Sequence, residues 1–65
     1  MDKAASLRSL YAKRGACTKR ITEWETERSW YTDDYQREYL LGRINKAREY
    51  RKDLDAVILR LKAQA

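Results

Sequence analysis

The chain contains no histidine, no proline and no phenylalanine, one cysteine (Cys17) and two glycines in 65 residues. Without histidine, and with a single thiol, the chain has no metal-ligand cluster of histidines and cysteines, and no Ser-His or Cys-His pair can activate a nucleophile. An internal disulfide is excluded as well, and a solitary cysteine suits a reducing compartment. Long apolar runs are missing too. Nothing approaches the ~18 residues of a membrane span, and the N-terminus lacks the apolar stretch of a signal peptide. The expectation is an intracellular, cytoplasmic protein with no membrane association, no cofactor, no metal and no catalytic residues.

Aliphatic side chains are few, since Leu, Ile and Val together number eleven. That scarcity borders on the composition of disordered chains, so only the arrangement of these residues can argue for a fold. A chain of this length stabilises itself by only about 3 to 5 kcal/mol unless a staple, a metal or a partner contributes. With the first two absent, a partner is the remaining route.

Periodicity supplies the fold. Leu7, Leu10, Arg14, Cys17, Ile21, Trp24, Arg28 and Tyr31 recur at alternating steps of three and four, and Arg37, Leu40, Ile44, Ala47, Arg51, Leu54, Ile58 and Leu61 repeat the alternation. Each row is a heptad seam interrupted by two arginines. Two long helices follow, helix one over about 3–29 and helix two over about 33–63, joined by a turn at about 30–32. Thr32 can cap the second helix, and Asp33 and Asp34 suit its positive end. So short a connection makes the pair antiparallel, and the expected fold is all-α, a two-helix coiled-coil hairpin. One segment is ambiguous: Thr18, Arg20, Thr22, Trp24 and Thr26 also alternate as a strand would.

Folded about Tyr31 and Thr32, the seams pair Trp24 with Leu40, Ile21 with Ile44, Cys17 with Ala47, Leu10 with Leu54 and Leu7 with Ile58. Arg14 then faces Arg51 and Arg28 faces Arg37, layers that must be open to water or paired with acids such as Glu49, Asp53 or Asp55. Tyr39, Leu41, Tyr50, Val57 and Leu59 fall outside the second seam and exceed what one hairpin can cover. They form the expected self-association surface, and a two-fold dimer making a four-helix bundle is the simplest closed arrangement.

Charge is plentiful and segregated. Fifteen Lys and Arg oppose ten Asp and Glu, for a net charge of +5. Residues 1–20 hold six basic and one acidic side chain, residues 21–40 two and six, and residues 41–65 seven and three. The hairpin therefore has a basic open end and an acidic turn end. The open end offers a second function, RNA or DNA binding through Lys13, Arg14, Lys19, Arg20, Arg48, Arg51 and Lys52, with Arg43 and Lys46 nearby. A solvated charged face explains the same residues without a ligand. Cys17 reads as a small buried hydrophobe, the aromatics as packing groups, and Asp33 with Asp34 as a helix start rather than an acid-base pair.

The run Leu7, Leu10, Lys13-Arg14-Gly15, Ile21-Thr22, followed by Leu40, Arg43, Ile44 and Leu54, resembles the N-terminal Gag region of Bel/Pao-type LTR retrotransposons. That region is similar in opening with a Leu-spaced basic helix, a Lys/Arg-Arg-Gly step and a hydrophobic-Thr pair, before an amphipathic helix returns. Thr18 stands where that pattern usually has a basic residue, and no capsid domain or zinc knuckle follows within the chain. The resemblance implies a non-enzymatic assembly module, a component of a virus-like particle or virion that works through self-association. A small phage-type adaptor or inhibitor docking on a protein partner is a further reading of the same aromatic and basic surface.

Overall fold

The computed structural model describes residues 2–64. Two helices, α1 (Lys3–Trp30) and α2 (Asp34–Ala63), run antiparallel as a rod of 50 × 14 × 13 Å. The protein is an all-α helical hairpin, and no strand occurs among the described residues. The threonine-rich stretch is helical: the Thr22 hydroxyl donates to the Thr18 carbonyl and the Thr26 hydroxyl to the Thr22 carbonyl, each at 3.0 Å. Side chains that would alternate on a strand thus satisfy themselves one turn back along a helix.

Acidic caps start both helices. The Asp2 carboxylate accepts from the Ala4 amide at 3.1 Å, and that of Asp33 from the Tyr35 amide at 3.2 Å. The cap of α2 is therefore Asp33 and not the expected Thr32, and the turn lies at 31–33 rather than 30–32. An aspartate outranks threonine as a cap and adds a negative charge at the positive helix end. Arg37 then clasps the turn by donating from Nη1 to the Tyr31 carbonyl at 3.1 Å.

The two seams are the interface. Buried are Ile21, Leu40, Ile44, Leu54 and Ile58. Leu7, Leu10, Cys17, Trp24, Arg28, Tyr31, Arg37, Ala47, Arg51 and Leu61 are half-buried, and Arg14 alone of the sixteen seam positions is exposed. Register is fixed by two contacts: the Cys17 thiol donates to the Ala47 carbonyl at 3.2 Å, and Arg28 Nε to the Arg37 carbonyl at 3.1 Å.

The arginine layers resolve themselves by a displacement of one turn. Arg14 pairs with Asp55 at 2.6 Å, four residues beyond Arg51, and Arg51 donates to the Thr18 hydroxyl at 3.4 Å, four residues beyond Arg14. The cause is the lean of every helical side chain toward its own N-terminus. In an antiparallel pair, side chains at one level lean toward opposite ends, so each arginine reaches away from its counterpart. Arg48 reaches Glu25 at 3.2 Å in the same sense, over about two turns. Both ion pairs are about half exposed, where each contributes under about 1 kcal/mol.

Neither glycine is needed by the backbone. Gly15 and Gly42 lie inside helices with negative φ, and an added Cβ at either would meet no heavy atom within 4 Å. Replacing both with alanine should stabilise the hairpin by about 2 kcal/mol in total, raising the melting temperature by roughly 8 °C or more. Thermal unfolding followed by circular dichroism checks this, and an unchanged or lower midpoint would refute it.

Candidate interaction surfaces

The heptad letters divide the rod into two broad faces. With Leu7 and Arg37 at position a, all four seam arginines fall at a, and the d positions hold Leu10, Cys17, Trp24, Tyr31, Leu40, Ala47, Leu54 and Leu61. On a helix, e and b lie beside a, while g and c lie beside d. One face of the hairpin therefore exposes the arginine layers and the other the apolar ones.

The arginine face carries the Arg14–Asp55 and Arg48–Glu25 ion pairs, and Lys62 lies over the Tyr11 ring at 5.3 Å. A shallow groove here is lined by Tyr11, Arg14, Gly15, Thr18, Arg51 and Asp55. The opposite face carries a more apolar groove, lined by Ala16, Cys17, Trp24, Ala47 and Tyr50 and bordered by Lys13 and Arg20. Two guanidiniums lie over the Trp24 ring, Arg43 at 5.1 Å and Arg20 at 5.9 Å from its centroid, and Arg43 also lies over Tyr39 at 5.6 Å. Such stacks leave the cations outside any ion pair while covering the ring.

The five surplus apolar residues do not form one surface. Tyr39, Tyr50 and Val57 occupy c and g positions on the apolar face, whereas Leu41 and Leu59 occupy e and b on the arginine face. Leu41 is half-buried at the hairpin edge, and the other four are exposed by 38 to 70%. The a and d rows separate the two groups.

The seven basic residues considered for nucleic acid are split as well. Arg14, Arg48, Arg51 and Lys52 lie on the arginine face, Lys13 and Arg20 edge the apolar groove, and Lys19 sits on the back of α1. Arg14 and Arg48 are engaged with carboxylates and Arg51 with Thr18. The residues gather around the middle of the rod, level with Cys17 and Ala47, but not on one surface.

Trp30 and Tyr35 are exposed beside the turn, and neither had been singled out from the sequence. Their positions, c in α1 and f in α2, were the available signal. Among the described residues no group of three His, Cys, Asp or Glu converges as a metal site would, and no helix is long and apolar enough to cross a membrane. No family model, curated protein or solved structure matches the chain.

Proposed function

We propose that this hairpin is a non-enzymatic assembly module that works by pairing with a second copy of itself. The observation that carries this reading is the imbalance in α2: Tyr39, Tyr50 and Val57 remain exposed on the apolar face, while among the described residues only five side chains are buried. A two-helix chain with so thin a core gains most from covering those groups, because each large apolar side chain taken from water contributes about 1.5 to 3 kcal/mol. Two hairpins packed face to face make a four-helix bundle, the smallest arrangement in which a helical hairpin acquires a core with helices on every side. In a Gag-like chain, such pairing is a step of particle assembly within the cytoplasm.

Sedimentation equilibrium of the unmodified chain over a concentration series tests this. The expected result is a mass that rises to twice 7.8 kDa as concentration increases, with helicity and melting temperature rising alongside. A fully helical monomer at high micromolar concentration would overturn it.

A further inference from the structure

Resting on that self-association, we propose that the second copy packs against the apolar face in the reversed direction, with its α2 antiparallel to α2 of the first. Between Gln36 and Arg60, the g and c positions of α2 read, in order, Tyr39, Arg43, Lys46, Tyr50, Asp53 and Val57. Reversing this row about Arg48 sets Tyr39 against Val57, Arg43 against Asp53 and Lys46 against Tyr50. An aromatic ring meets an aliphatic group, a guanidinium meets a carboxylate, and an ammonium meets a ring. Every match joins a c to a g position, so the side chains interleave along one ridge, and the two-fold axis makes each match twice.

Two α2 helices laid parallel on one another would instead set Arg43 on Arg43, Lys46 on Lys46 and Asp53 on Asp53, and like charges placed so close repel. The larger charge pattern agrees, because reversal brings each acidic turn end over the other copy's basic open end. On α1 the same reversal carries Trp24 over Leu10 of the second copy, while Lys13 and Arg20 of opposite copies meet at the groove's solvent-exposed rim as a like-charge contact. The small side chains Cys17 and Ala47, in contact at 3.2 Å near mid-rod, then lie at the axis, where they allow the two faces to approach closely.

Arg43 and Asp53 are the pair to test. Within one chain they stand ten residues apart on α2, about 15 Å at ~1.5 Å per residue, so energetic coupling between them arises only across a dimer. Among the described residues neither has an ion-pair partner in its own chain. Arg43→Glu and Asp53→Arg should each weaken the dimer at least about tenfold, and the two together should restore it to within roughly threefold of the unmodified chain. The readout is the dissociation constant from sedimentation equilibrium, with circular dichroism to confirm that each variant is helical.

Additive losses in the double variant overturn the reversed arrangement while leaving self-association standing. A monomeric unmodified chain overturns self-association and this arrangement together. Because Arg43 also stacks on Trp24 and Tyr39, a second measurement avoids it. In a Cys17→Ser background, chains carrying Tyr39→Cys and chains carrying Val57→Cys are oxidised separately and mixed. A disulfide between the two kinds of chain alone is expected; disulfides between identical chains, or none at all, overturn the arrangement.

Discussion

Ile44→Ala is expected to unfold the hairpin. Ile44 is 1% exposed, the most completely enclosed of the five buried residues, and lies near the middle of the rod where no solvent-facing end can relax around a void. Large-to-small changes at such sites cost about 2 to 5 kcal/mol, which matches the whole stability available to a chain of this size. The far-UV circular dichroism of Ile44→Ala should therefore show a largely disordered chain at low micromolar concentration. A cooperative melt within a few degrees of the unmodified protein would show that the seam is not the core. Leu54→Ala should act in the same direction with a smaller loss, since Leu54 is the least enclosed of the five.

The second large effect concerns the surface between copies. Tyr50 and Val57 sit at successive g positions, 45% and 38% exposed, on the face that also presents Leu10 and Trp24. Replacing both with glutamate leaves the five buried residues untouched and places carboxylates where the proposed contact needs apolar groups. Each substitution is repeated on the two copies, so the dimer should weaken at least about a hundredfold, on the scale of losing a residue worth ~2 kcal/mol at an interface. The double variant should sediment as a monomer, melt earlier and lose helicity on dilution. Leu41→Glu with Leu59→Glu, on the arginine face, should weaken association far less. Equal losses from both pairs of substitutions would contradict the choice of face.

The helical architecture and the identity of the interface residues were legible in the alternation of three and four. Fifteen of its sixteen positions are buried or half-buried. What the alternation could not convey was which side chains would touch. Layers deduced by counting back from the turn set Arg14 on Arg51, yet Asp55 and Thr18 are the partners, because a side chain's tip lies a turn away from its own Cα. The turn itself was misplaced by one residue: Thr32 and Asp33 are both acceptable caps, and only the backbone shows that the carboxylate at Asp33 is the one aimed at the Tyr35 amide. The surplus apolar residues were correctly counted as lying outside the seam. Their division between two faces follows from the heptad phase, which separates Leu41 and Leu59 from Tyr39, Tyr50 and Val57 by more than about a quarter of a turn. The basic open end likewise emerged from counting charge, but a count cannot see that Arg14 and Arg48 are already committed to Asp55 and Glu25.

The three-residue turn also dictates an order of events as the chain folds. Contacts across the hairpin join residues of steadily increasing separation, nine for Arg28 with Arg37, thirty for Cys17 with Ala47 and sixty-one for Lys3 with Gln64. The contact of shortest separation costs the least chain entropy to close, and once it exists each next one adds only a short further loop. Structure therefore nucleates at the acidic tip and zips toward the basic termini, giving rapid folding despite contacts that span the whole chain. During synthesis the tip closes early, whereas Leu7 and Leu10 must wait for Ile58 and Leu54 in the far half of α2. For that interval the nascent chain is an acidic knot trailing an uncovered basic helix, and the first thing able to cover that helix is its own C-terminal half.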